Sequence, residues 1–103
     1  MSYIAPIDET KFWLNEVLDA KRLFSISNFN GFKEEDLNLI LGEAAKITSE
    51  SIYPLNQKSD KIPANLENGI CRTTPGFKDV YELLVQGGWT GISGSQKYGG
   101  MGL

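Results

Sequence analysis

Apolar residues recur at helical spacing in three separate stretches of the chain. The first stretch, residues 8–24, predicts an amphipathic helix with Asp8 as a candidate N-cap. Its apolar positions are Trp13, Leu14, Val17 and Leu18. Residues 25–31 are rich in Ser, Asn and Gly, so we predict a connector there. The apolar residues that would pin this connector to a core are Phe24, Ile26 and Phe29.

A second helix is predicted to begin near Lys33, because the three acidic residues that follow favour the positive end of a helix dipole. Its apolar stripe comprises Leu37, Ile40, Leu41, Ala44, Ala45, Ile47 and Ile52. Pro54 lacks a backbone N–H, and its ring crowds the preceding turn. The helix therefore either ends at Tyr53 or continues beyond a kink.

Residues 57–73 are polar and irregular except for one turn signal. Asn68 and Gly69 separate two short arms that contain apolar residues, and Asn-Gly is the usual two-residue hairpin turn. We therefore predict a small hairpin-like loop.

The third helix is predicted to follow this loop, with Thr74 as its N-cap and Pro75 at its first helical position. Its apolar face is Phe77, Val80, Tyr81, Leu84 and Val85. Gly87 and Gly88 predict a left-handed C-cap. The fold class is therefore mainly α, with three amphipathic helices, a short hairpin-like loop and a Gly-rich C-terminal segment.

Composition favours a globular domain: 41% of the 103 residues are hydrophobic and 22% are charged. The net charge of −3 without a basic stripe disfavours nucleic-acid binding. No apolar run approaches the roughly 20 residues of a membrane span, and the N-terminus lacks signal-peptide features, so we expect a cytoplasmic protein. Residues 98–103 place apolar side chains in a turn, which leads us to expect a further element beyond them and hence a truncated chain.

Candidate chemistry is sparse. The chain has one cysteine, Cys71, and no histidine, which excludes a Ser-His-Asp triad, a Cys-His pair and a His-bearing zinc site within it. Residues 91–95 (Gly-Ile-Ser-Gly-Ser) resemble a nucleophile elbow but lack its final Gly. Residues 99–102 lack the glycine spacing of a dinucleotide fingerprint, so a backbone turn is the better interpretation. We assign no catalytic, cofactor-binding or metal-binding residue to this chain.

Two further groups of residues allow a functional and a structural interpretation. The acidic run of Glu34, Glu35 and Asp36 is interpreted as solvated capping charge rather than an acid-base or metal cluster. Three aromatic residues on the apolar stripes are assigned to the core rather than to a pocket, namely Trp13, Phe77 and Tyr81. Trp89, between two glycine clusters, either anchors a turn or meets a flat ligand; we favour the anchor.

Three blocks of the chain together resemble the N-terminal domain of flavin-dependent acyl-CoA dehydrogenases. They are residues 75–81 (Pro-Gly-Phe-Lys-Asp-Val-Tyr), 87–92 (Gly-Gly-Trp-Thr-Gly-Ile) and 98–103 (Tyr-Gly-Gly-Met-Gly-Leu). Residues 95–97 depart from the Pro and acidic residue that commonly precede this last loop. Residues 3–6, 12–18 and 52–56 are similar to a bacterial branch with an extra N-terminal helix, some of whose members oxidise sulfur-bearing acyl-CoA thioesters.

The resemblance implies a larger enzyme with a helical N-domain, a middle β-domain and a helical C-domain. Such enzymes use FAD to desaturate an acyl-CoA between the α and β carbons, and electron-transferring flavoprotein takes up the electrons. Their catalytic Glu lies in the C-terminal domain, so this chain would be structural and inactive alone. Residues 1–30 would be an extension helix and connector, and residues 31–103 the start of the N-domain, in an enzyme that forms homo-oligomers.

Two alternatives belong to other classes. In the first alternative, the chain is a self-contained helical module that binds a partner protein through its apolar faces. A free-standing catalytic domain is disfavoured, because its acid-base chemistry would rest on exposed carboxylates with no means of shifting their pKa values.

Overall fold

The computed structural model describes residues 2–27, 29 and 31–103. Its α-helices are α1 (Ile7–Phe12), α2 (Glu34–Ile47), α3 (Tyr53–Lys61) and α4 (Phe77–Gln86). Strands β1 (Asn65–Glu67) and β2 (Ile70–Arg72) form one antiparallel hairpin. The mainly α fold class with a small hairpin is confirmed. Of the helices described, none is long and apolar enough to cross a membrane.

The first predicted helix is shorter than expected. It begins at Ile7 with Pro6, not Asp8, at the N-cap, and it continues beyond α1 as π-helical turns over Trp13–Val17. Asp19 then adopts a left-handed conformation with φ of 50°, and a 3-10 helix covers Ala20–Ser25. An α-helix cannot continue through a left-handed residue, and Asp is among the residues that tolerate this conformation. The single helix over 8–24 was therefore a wrong prediction.

The predicted connector at 25–31 is built from successive turns. The Phe29 N–H donates to the Ile26 carbonyl at 2.9 Å, whereas Asn28 and Asn30 lie outside the described residues. Ahead of the connector, Lys21 Nζ lies 2.9 Å from Glu34 Oε2 in the first turn of α2. Its hydrogen bond to Glu34 and the charge of that carboxylate raise the pKa of Lys21. This ion pair ties the 3-10 helix to the start of α2.

Pro54 does not end the second predicted helix. Helical turns run from α2 into α3 through a π-helical segment, Thr48–Ile52, in which the Tyr53 N–H donates to the Thr48 carbonyl five residues back. The wider turn accommodates the proline ring just after it. The Thr48 hydroxyl also donates to the carbonyls of Ala44 (2.8 Å) and Ala45 (2.9 Å), which already accept the Thr48 N–H.

The hairpin has the predicted turn. Asn68 and Gly69 have φ values of 51° and 77°, as a type I′ turn requires, and Leu66 pairs with Cys71 across the strands. The Thr74 hydroxyl donates to the Ile62 carbonyl at 2.7 Å and so joins the two ends of the segment that contains the hairpin. Thr74 is 4% exposed, so this bond is shielded from water.

Helix α4 begins later than predicted. Gly76, with φ of 103°, occupies the N-cap, so Thr74 and Pro75 both precede the helix. The Thr74 hydroxyl bonds to Ile62 instead of capping α4, which explains why that N-cap prediction was wrong. At the other end Gly88 has φ of 76°, which confirms the predicted left-handed C-terminal residue.

The molecule is a thin slab of 55 × 36 × 17 Å with a radius of gyration of 17.4 Å. A compact domain of this length has a radius of gyration of about 13 Å. The solvent-accessible surface is 8023 Å², whereas a folded monomer of this mass exposes about 5,800 Å². Within the described ranges only Ala20 and Thr74 are buried, and they remain 7% and 4% exposed. The helices therefore form one layer that lacks the second layer a hydrophobic core requires.

Candidate functional site

The Gly-rich C-terminal segment, residues 91–103, forms a closed loop. Three backbone bonds join its ends: Met101 N–H to the Gly91 carbonyl (3.1 Å), Gly102 N–H to the Gly94 carbonyl (2.8 Å), and Leu103 N–H to the Ile92 carbonyl (3.0 Å). A Cβ atom on Gly100 would overlap the backbone of Gly94. Gly100 thus allows the main chain to approach Gly94 at a distance that a side chain at position 100 would prevent.

This loop does not fit a nucleotide phosphate or the pyrophosphate of a flavin cofactor. A phosphate-binding loop points free backbone N–H groups at its ligand. Here each N–H of residues 99–102 donates to a carbonyl within the segment, at residues 96, 95, 91 and 94 respectively. The interpretation of residues 99–102 as a backbone turn is confirmed.

The elbow-like serines also belong to turns. The Ser95 hydroxyl accepts a hydrogen bond from the Lys97 N–H at 3.3 Å and caps the 3-10 helix Gln96–Tyr98. The Gln96 side chain in turn donates to the Met101 carbonyl at 3.3 Å. These contacts hold the loop in shape, and the sequence offers no histidine to activate a serine.

Trp89 lies against the end of α4. A Cβ atom on Gly87 would lie 2.8 Å from both Cδ1 and Nε1 of the indole, so the ring covers the backbone of Gly87. This contact supports the interpretation of Trp89 as a turn anchor. The ring also lines an open groove between α2 and the C-terminal end of α4.

We call this concavity the Leu39 groove; its volume is about 710 Å³. Its apolar lining consists of Leu39, Ile40, Ile47, Leu83, Trp89 and Met101. Its polar lining consists of Glu43, Lys46, Glu50, Ser51 and Gln86, and Gly87 completes the lining. Sequence reasoning did not assign Leu39 or Met101 to a site. The available signal was Leu39 next to Ile40, which widens the apolar arc of α2 beyond a single stripe.

A second open groove of about 410 Å³ separates α3 from α4. Ile52, Leu55, Phe77, Val80, Tyr81 and Leu84 provide its apolar lining. Phe77 and Tyr81 were assigned to the core, as was Trp13, but all three side chains are exposed. That assignment was wrong for this chain, because no element among the described residues covers these apolar faces.

The acidic run caps α2. Asp36 Oδ2 accepts a hydrogen bond from the Lys33 N–H at 2.9 Å, and Glu34 forms the ion pair with Lys21. Among the residues that the structure describes, no group of three or more His, Cys, Asp or Glu side chains is placed to hold a metal ion. The bond from Asp36 supports the capping interpretation of the run.

No protein-family model matches the chain. Over 103 residues the chain is 29% identical to the 3-methylmercaptopropionyl-CoA dehydrogenase of Ruegeria pomeroyi (strain ATCC 700808 / DSM 15171 / DSS-3). The match covers 100% of this chain and 18% of that protein, so the chain spans less than a fifth of the length of its relative. This similarity confirms the resemblance, first indicated by the residues around Trp89 and Tyr98, to the N-terminal part of an acyl-CoA dehydrogenase.

Proposed function

We propose that this chain is the first part of the N-terminal helical domain of an acyl-CoA dehydrogenase, in which it forms a structural wall. The observation that carries the proposal is its similarity, from end to end, to a dehydrogenase of an acyl-CoA thioester. In this proposal residues 1–30 form an N-terminal extension and residues 31–103 begin the domain.

The exposed apolar surface supports the interpretation of this chain as one side of a larger domain rather than as a complete domain. The chain exposes about 2,200 Å² more than a compact monomer of its mass. Both grooves open onto solvent and have apolar linings. Later segments of the enzyme would cover these faces and, with them, exclude water from the acyl end of the active site.

The chemistry of the whole enzyme would come from elsewhere in the polypeptide. FAD, when bound, accepts the hydride in α,β-desaturation, and in this proposal the base and the pyrophosphate site belong to later segments. In support, the N–H groups of residues 99–102 are all bonded within their own loop. The partners in this proposal are an acyl-CoA substrate, electron-transferring flavoprotein and further copies of the enzyme, in the cytoplasm. The name of the relative makes sulfur-bearing thioesters the first substrates to test.

The test uses the complete open reading frame that encodes this chain. We expect its purified product to be yellow with bound flavin and to reduce a redox dye when 3-methylthiopropanoyl-CoA is added. Pentanoyl-CoA, in which a methylene replaces the sulfur, is the matched substrate that measures selectivity for sulfur. A colourless and inactive product would contradict the enzyme assignment. A reading frame that stops after Leu103 in a correctly sequenced gene would favour the self-contained interaction module.

A further inference from the structure

We propose that the Leu39 groove is the docking site of one amphipathic helix that carries two basic residues seven positions apart and an acidic residue between them. This inference deepens the packing role proposed above and names the chemistry of the partner. It does not depend on the acyl-CoA chemistry of the enzyme.

The shape of the groove fits a helix. Its lining residues recur at spacings of three and four from Leu39 in α2 to Glu50 in the π-helical segment that follows, which covers about three turns and about 16 Å of helix. The opposite wall is formed by Leu83, Trp89 and Met101. The slab is 17 Å thick, less than two helix diameters of about 10 Å or more each. A helix laid along α2 would therefore supply the missing second layer.

The apolar floor of the groove is accessible. Leu39 is 70% exposed although it lies in the middle of a 14-residue helix. One exposed leucine is ordinary on a protein surface. Here it shares a concavity with five other apolar side chains, so a helix that docks there would meet an apolar floor rather than a single leucine.

The charges along the groove specify the partner further. Glu43, Lys46 and Glu50 line it at spacings of three and four, so an acidic, a basic and an acidic group follow one another along the same side of the helix. Across the described ranges, none of the three belongs to an ion pair. A partner helix with basic residues opposite the two glutamates and an acidic residue opposite Lys46 would satisfy all three charges.

A second copy of this chain does not offer that pattern. None of its ten Lys and Arg residues lies seven positions from another. The occupant is therefore a different segment.

The test measures binding of two synthetic 18-residue amphipathic helices to the whole chain in a Trp13→Phe background, where Trp89 is the remaining tryptophan. One peptide carries lysines at i and i+7 with a glutamate between them; the other has these charges exchanged. We expect the first to shift the emission of Trp89 and to bind at least about 10-fold tighter, about 1.4 kcal/mol. Leu39→Gln should weaken its binding about 10-fold or more.

Leu66→Gln is the matched control, since Leu66 is 75% exposed and lies in the hairpin, outside the groove. It should leave binding unchanged, and the double variant Glu43→Lys, Glu50→Lys should reverse the preference between the peptides. Equal affinity for both peptides, or equal effects of the two leucine variants, would overturn the proposal. A dimer in sedimentation equilibrium that the Leu39→Gln substitution dissociates would also overturn the proposal, because a second copy of the chain would then occupy the groove. Flavin content and dye reduction test the proposed function separately, so the two failures are distinguishable.

Discussion

Gly87 and Trp89 illustrate how a residue without a side chain decides the position of a large one. The indole covers the backbone of Gly87 so closely that a methyl group there would lie 2.8 Å from two of its atoms. Gly87 itself has φ of −75°, which any residue adopts. The requirement for glycine is therefore one of space rather than of backbone conformation.

Gly87→Ala should destabilise the chain by about 1–3 kcal/mol, because the added methyl group must displace the Trp89 ring. Urea unfolding followed by far-ultraviolet circular dichroism measures this change, and the emission of Trp89 in a Trp13→Phe background reports the displacement. Gly42→Ala is the control, because a Cβ atom there meets nothing within 4 Å in the middle of α2. It should stabilise the chain by about 0.5–1 kcal/mol. Equal effects of the two substitutions would contradict the contact.

Residues whose backbone conformation depends on distant contacts were the hardest to predict. The sequence places Thr74-Pro75 at a good helix start, yet the Thr74 hydroxyl bonds to Ile62, twelve residues away. The cap then falls on Gly76 in a left-handed conformation. Local propensity cannot anticipate that the Thr74 hydroxyl bonds to a distant carbonyl. The left-handed conformation of Gly88 was predicted correctly, because glycine at the end of a helix favours it without any distant contact.

The hairpin is the element with the simplest stability argument. Its turn residues both have positive φ values, and a Cβ atom on Gly69 would meet nothing within 4 Å. A substitution there tests the backbone conformation alone.

Gly69→Ala should weaken the hairpin by about 1–2 kcal/mol, because in the left-handed region the Cβ atom of an L-residue lies too close to the carbonyl oxygen that follows it. Amide hydrogen exchange of Glu67 and Ile70, which face each other across the strands, should accelerate about 10-fold or more. Asn68→Gly provides the comparison, since glycine adopts φ of 51° freely. If both variants exchange at the same rate, the turn is not under the backbone constraint described.

The segment around Pro54 shows why the second helix could be predicted but not its internal form. Spacing identified the apolar stripe, and the proline left a stop or a kink as alternatives. The structure contains neither an end nor a plain α-helix, because π-helical turns over Thr48–Ile52 accommodate the ring. The hydroxyls of Thr48 and Ser49 donate to carbonyls of the preceding turn, a combination that apolar periodicity does not encode.

For the whole molecule, the main observation is how much apolar surface meets water. Sequence patterns correctly identified which faces are apolar, but a pattern cannot tell whether the covering layer is within the chain. Phe77 and Tyr81 lie on such a face and are exposed. The Leu39 groove was missed for a related reason. It lies between α2 and α4, and the sequence pattern of each helix does not show how the two helices are arranged.

The isolated chain should retain its extended shape in solution. Small-angle X-ray scattering should give a radius of gyration closer to 17.4 Å than to the roughly 13 Å of a compact domain. A dye that fluoresces on apolar surface should also bind. A compact particle that leaves the dye dark would contradict the open layer and would favour the self-contained module.

The thinness of the slab has a calorimetric consequence. The heat-capacity increase on unfolding comes mainly from newly hydrated apolar surface, and it reaches about 1.2–1.5 kcal/mol/K for a compact domain of 100 residues. In a molecule 17 Å thick much of that surface is hydrated before unfolding begins. Its thermal transition should accordingly be broad with a small heat-capacity step, and most of the missing heat capacity would be recovered as a negative change when a partner docks.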